Sequence, residues 1–141
     1  MNVFVDTSAF LAVLNRNDLW AVRAARAWKE LVNAEADMAT TSYVVVETCA
    51  ILQRRIGIDA VRVFVDQILP VVEVDYVDAG LHRAALSTLL TAGIRELSLV
   101  DCCSFESMRR HGLQTAFAYD PHFAQQGFDL LPPCVDPVIP S

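Results

Sequence analysis

Near the amino terminus, the stretch Asn2 to Phe10 (Asn-Val-Phe-Val-Asp-Thr-Ser-Ala-Phe) places a carboxylate where an apolar strand gives way to a helix. Val3, Phe4 and Val5 are β-branched or aromatic, the residue types that fit a pleated, buried surface. Thr7 and Ser8 can cap a helix continued by Ala9 to Leu14. Asp6 is therefore expected at the carboxyl end of the first strand. In an open α/β sheet that edge is where ligands bind, so the rest of the chain is searched for groups that would join Asp6 there.

Read in order, the chain alternates strand and helix signals. Asp18 offers a cap for a helix to about Ala34, with Leu19, Val22, Ala25, Trp28 or Lys29, and Val32 as its apolar stripe. Asp37 to Thr41 reads as a strand, and Ser42 as the N-cap of a helix from Tyr43 to Ile56 that Gly57 ends. A helix over Asp59 to Leu69 is stopped by Pro70, and Val71 to Val74 follows as a strand. Helices over Asp78 to Ala92 and Leu97 to His111 end at Gly93 and Gly112. Thr115 to Tyr119 is expected as a strand, His122 to Gln126 as one helical turn and Phe128 to Leu131 as a last strand. This pattern predicts a parallel sheet with helices on both faces, joined by right-handed crossovers.

A chain of 141 residues suits one domain, expected over 1–131, with Pro132 to Ser141 as an irregular proline-rich tail. Hydrophobic residues make up 54% of the sequence, but charges break every apolar run before the roughly 18 residues that a membrane helix needs. No basic signal-peptide region opens the chain, and the expectation is a soluble cytoplasmic protein without membrane contact. The net charge of −6 argues against a general polyanion-binding surface. A local one stays open, because ten of the eleven basic residues are Arg. Arg16, Arg23, Arg26 and Lys29 gather near one helix and Arg54 and Arg55 near another, either as a solvated face or as phosphate contacts. Cys49, Cys102, Cys103 and Cys134 lack zinc-ligand spacing and read as small buried thiols.

Three further acids share the isolation of Asp6. Glu47 lies in Tyr-Val-Val-Val-Glu-Thr-Cys-Ala-Ile-Leu and Asp101 in Leu-Ser-Leu-Val-Asp-Cys-Cys-Ser-Phe, without a helical-spacing cation on that flank. Asp120 follows Ala116-Phe-Ala-Tyr119, so it too falls at a strand's carboxyl end. Each has an ordinary reading: Asp6 as a helix cap, Asp101 as partner of Ser98 in a capping box, Asp120 as a turn acid before Pro121. Their convergence would change the balance. Two carboxylates about 4 Å apart repel by roughly 4 kcal/mol at an effective dielectric near 20, more than the 0.3–1 kcal/mol a first-turn acid gains from a helix dipole. A cation or shared protons must then compensate. An all-oxygen site without converging His or Cys suits Mg²⁺ or Mn²⁺. His82, His111 and His122 read as structural, His122 being the one to watch because it stands two residues from Asp120. No glycine-rich phosphate loop or nucleophile elbow is present, so Ser8 reads as a cap or water contact.

These segments together resemble the PIN-domain family, and within it the short VapC-like toxins. The resemblance rests on Val3-Phe-Val-Asp-Thr-Ser-Ala-Phe, Tyr43-x-x-x-Glu47, Leu97-Ser-Leu-Val-Asp101 and Ala116-Phe-Ala-Tyr-Asp120-x-x-Phe123, followed by Gly127-Phe128. It implies a three-layer α/β/α sandwich around a mainly parallel sheet of four to five strands. It also implies a Mg²⁺- or Mn²⁺-dependent endoribonuclease, with Asp6, Glu47, Asp101 and Asp120 as catalytic and metal-binding acids. Asp6 and Asp101 are the first choices for direct contact, and Ser8 assists as a phosphate or water contact. Relatives often carry Thr or Ser shortly before the fourth acid, where this chain has Ala118. A homodimer, an RNA substrate and a cognate antitoxin are the implied partners. A non-catalytic RNA-binding module and a housekeeping RNA-processing nuclease stay open as alternatives. A haloacid-dehalogenase-like phosphatase is disfavoured, since Asp6-Thr-Ser lacks the second Asp such a site needs.

Overall fold

The structure, a computed structural model, describes residues 1–132; the expected tail and Cys134 lie outside the described residues, apart from Pro132. Five strands form one sheet: β1 (Asn2–Val5), β2 (Asp37–Thr41), β3 (Val72–Asp75), β4 (Thr115–Phe117) and β5 (Asp129–Leu131). Their order is β3-β2-β1-β4-β5, with every neighbouring pair parallel. Val3, Phe4 and Val5 alternate in direction, yet all three are fully buried, so both faces of the sheet are covered. The result is the expected three layers.

The covering helices are α1 (Thr7–Leu14), α2 (Ala21–Asn33), α3 (Ser42–Arg55), α4 (Ile58–Val63), α5 (Ala79–Ala92), α6 (Leu99–Arg110) and the single turn α7 (His122–Gln125). Aromatic rings join the layers. Phe10 of α1 meets Phe64 edge-on at 5.0 Å, while Phe123 of α7 meets Phe105 of α6 at 5.0 Å and lies 6.3 Å from Phe4 of β1. Fully burying each such ring contributes about 1.5–3 kcal/mol.

Several local expectations are corrected. Asp6, rather than Thr7 or Ser8, caps α1. Thr41 caps α3 by accepting from Val44 N, while Ser42 is its first residue and accepts from Val77 N at 3.0 Å. Asp18 accepts from Trp20 N at 2.8 Å in a turn that precedes α2, so α2 starts only at Ala21. Its buried stripe is accordingly Ala24, Ala27 and Leu31, with Trp20 and Trp28 packed at the flank, whereas Leu19, Val22 and Val32 face outward. The segment after α4 does not stop at Leu69. A wider helical turn over Phe64–Ile68 leads into a tight turn over Leu69–Val71 that accommodates Pro70 within its first positions, where a missing N–H costs no helical bond. Strand β4 ends at Phe117 rather than Tyr119.

Candidate active site

From β1 the chain runs outward through β2 to β3, then returns on the other side of β1 as β4 and β5. The carboxyl ends of β1 and β4 therefore flank the point where strand order reverses, the usual position of a ligand crevice in such sheets. Asp6 leaves β1 there, and Asp120 follows β4 by three residues. Asp101 enters from the first turn of α6 and Glu47 from the second turn of α3.

Each of the three aspartates also fulfils its ordinary role. Asp6 Oδ2 accepts from Ser8 N at 3.1 Å and Ser8 Oγ at 2.6 Å. Asp101 Oδ2 accepts from Ser98 N at 3.1 Å while Ser98 Oγ accepts from Asp101 N at 3.0 Å, completing the capping box. Asp120 Oδ1 accepts from His122 N at 2.9 Å. The bonds made by each turn fall on a single oxygen, so a carboxylate can hold its turn with one oxygen and offer the other as a ligand. Cap and ligand are thus compatible readings here.

Electrostatics tie the acids together. Asp6, 4% exposed, has its carboxyl pushed up to about 7, first by burial and then by the charges of Asp101 and Asp120, against the lowering hydrogen bond from Ser8. Asp101 is raised by burial and by the charges of Asp120 and Glu47, against its bonds to Ser98. Every one of the four predicted acids therefore feels at least one other. Among the described residues none of them pairs with Lys or Arg. Acids arranged this way can hold a divalent cation.

Ser8 sits between the exits of two strands. Its hydroxyl donates to Asp6 and accepts from Tyr119 N at 2.9 Å, linking the exit of β1 to the exit of β4. A correction concerns His122. One ligating atom from each of Asp101, Asp120 and His122 lies within 4.8 Å of the others, so a histidine does converge on the acids. The signal was the Asp120-Pro-His122 spacing, because a turn acid that bonds the backbone two residues on folds that residue back over itself. Of the other histidines, His82 pairs through Nδ1 with the Tyr43 hydroxyl, and His111 caps the end of α6 near Asp75.

The PIN-domain family model matches residues 3–129 of the chain. The chain belongs to the PIN-domain family. It is 36% identical over 127 residues to the 23S rRNA-specific endonuclease VapC20 of Mycobacterium tuberculosis, a match covering 89% of this chain and 95% of the relative. The crystal structure of VapC20, a sarcin-ricin loop cleaving toxin, superposes with a TM-score of 0.81 at 35% identity over the same shares. VapBC2 from Rickettsia felis shares the fold at a TM-score of 0.68 and 13% identity, over 92% of this chain and 97% of that one. FitAcB from Neisseria gonorrhoeae does so at 0.64 and 16%, over 91% and 95%.

Within this PIN fold Ala118, where relatives often have a hydroxyl, is buried at 2% exposure and its N–H donates to Leu131 O. Four of the eleven basic residues line two grooves. Arg16 and Arg55 line a groove at the carboxyl ends of α1 and α3, and Arg23 and Arg26 line another beside Leu131. None of these four makes an ion pair among the described residues. No helix among the described residues is long and apolar enough to cross a membrane.

Proposed function

We propose that this chain is a divalent-cation-dependent endoribonuclease and the toxin half of a toxin–antitoxin pair. The observation that carries the reading is the cluster of Asp101, Asp120 and His122 at the switch point of a PIN sheet, with the charges of Asp101 and Asp120 acting on buried Asp6 and that of Glu47 on Asp101, and no Lys or Arg paired with any of the four acids among the described residues. The rRNA endonuclease activity named for VapC20 supports the substrate class. The donor set fits Mg²⁺ or Mn²⁺, with Asp6 and Asp101 as direct ligands and Glu47 and Asp120 acting directly or through water. Such an ion, when bound, supplies Lewis acidity toward water and neutralises charge developing on the phosphodiester. The protein's share is positional. Ser98 and Ser8 fix the carboxylates of Asp101 and Asp6, and buried Phe123 anchors the turn behind Asp120.

A toxin built this way is restrained by covering its cleft, and a partner's guanidinium placed against Asp6 and Asp101 would compete with the cation. The proposed assembly is a homodimer that binds RNA and a cognate antitoxin. Cleavage of a 23S rRNA fragment, with and without EDTA, tests the chemistry beside Asp101→Asn. The expected result is cleavage restored by Mg²⁺ or Mn²⁺ and a loss of at least 100-fold in the variant. Induced expression in bacteria should arrest growth with wild type only. Activity that survives EDTA and Asp101→Asn would overturn the reading. The non-catalytic alternative, favoured by Ala118, predicts RNA that is bound equally in EDTA and left uncut.

A further inference from the structure

We infer that His122 supplies a nitrogen ligand to the cation held by Asp101 and Asp120, giving the site a preference for Mn²⁺ and Co²⁺ over Mg²⁺. The inference rests on the proposed reading that the acids hold a divalent ion. Its basis is an orphaned atom. His122 Nδ1 is buried and has no hydrogen-bond partner among the described residues, although it lies 2.7 Å from Asp120 Oδ1. The separation is within hydrogen-bonding range, yet no hydrogen bond forms between the two groups, so Nδ1 contacts the carboxylate without being satisfied by it.

A shared ion would satisfy it. Donor atoms of Asp101, Asp120 and His122 all lie within 4.8 Å of one another, close enough for one ion with ligand distances of about 2.1 Å to meet all three after side-chain adjustment. The ring is also held in place. His122 N donates to Asp120 Oδ1, and the next residue, Phe123, is fully buried against Phe4, Phe105 and Phe128. The side chain of His122 is 19% exposed and that of Asp120 21%, so the pair lies at the wall of the cleft, where an ion can enter.

An imidazole in an otherwise carboxylate site shifts selectivity, because nitrogen donors favour later divalent ions while Mg²⁺ is served best by oxygen. The alternative is that His122 only steadies Asp120, which would affect all ions alike. Calorimetric titration of metal-free protein with Mg²⁺, Mn²⁺ and Co²⁺ separates the two, using wild type, His122→Ala and His122→Gln. The expected result is a 10-fold or larger loss of Co²⁺ affinity in both variants, a smaller loss for Mn²⁺, and a change below 3-fold for Mg²⁺. Mn²⁺ spin-echo spectra of protein labelled with ¹⁵N-histidine should show a nitrogen coupling that both variants lose. Equal losses for Mg²⁺ and Co²⁺, or no coupling in wild type, would overturn the ligand role. Asp101→Asn serves as the separate control: unchanged binding of all three ions there would overturn the acidic-site reading itself.

Discussion

At the scale of single residues, Asp6 sets how the metal-free protein responds to pH. Its carboxyl is pushed up to about 7, against about 3.9 in an unfolded chain. Between those values the native state keeps a proton that the unfolded chain releases, so this stabilisation is full below about pH 4 and is lost as pH rises through 7. Thermal unfolding in EDTA should therefore show Asp6→Asn gaining on wild type as pH rises, by on the order of 4 kcal/mol at pH 8. Added Mg²⁺ should narrow the gap by stabilising the ionised wild type. Parallel pH curves for the two proteins would refute the assignment. Asp6, Glu47, Asp101 and Asp120 stood out in the sequence because each is a lone charge in an apolar run. The place of His122 was harder to read, since it depends on a two-residue reversal rather than on helical or strand spacing.

Among the elements, the boundaries that the sequence placed well are those with a single dominant stop, such as Gly93 at φ 61° after α5. Those it misplaced had rival caps. Asp18 precedes Trp20, whose ring stacks on Tyr119 at 5.0 Å, and the chain becomes helical only at Ala21. That delay rotates the apolar stripe from the large side chains Leu19 and Val22 to the small ones Ala24 and Ala27, which permit close packing of α2. At the junction of β1 and β4, Ser8→Ala removes the acceptor of Tyr119 N and the donor to Asp6 together. The expected cost is about 1–3 kcal/mol in denaturant unfolding, with RNA cleavage reduced further than the stability loss accounts for. Ser8→Thr should recover most of both. On the opposite layer, Phe123→Ala should destabilise by about 3–5 kcal/mol, since its ring contacts Phe4, Phe105 and Phe128. A loss below 1 kcal/mol in unfolding experiments would show that α7 is not anchored as described.

For the whole molecule, the layered parallel sheet followed from the alternation of strand and helix signals, while strand order depended on pairings that no local pattern encodes. The same limit applies to assembly. Of the large apolar residues on or beside the first two helices, Leu11, Leu14, Trp20 and Trp28 pack against the core and Leu19 stands exposed. Val46, Ile56 and Val63, on or beside the neighbouring helices α3 and α4, are also exposed and apolar. Light scattering at micromolar concentration should give twice the 15.6 kDa chain mass, and Val46→Lys should return the monomer mass with unfolding unchanged. A wild-type monomer would remove the dimer. The wide separation of the four acids along the chain has its own outcome during synthesis. A ribosome releasing this polypeptide exposes Asp6 first and Asp120 last of the four, and β4 must settle beside β1 before the two can meet. On the proposed reading, a chain released only as far as α6 lacks Asp120 and cuts nothing until β4 has emerged and paired with β1.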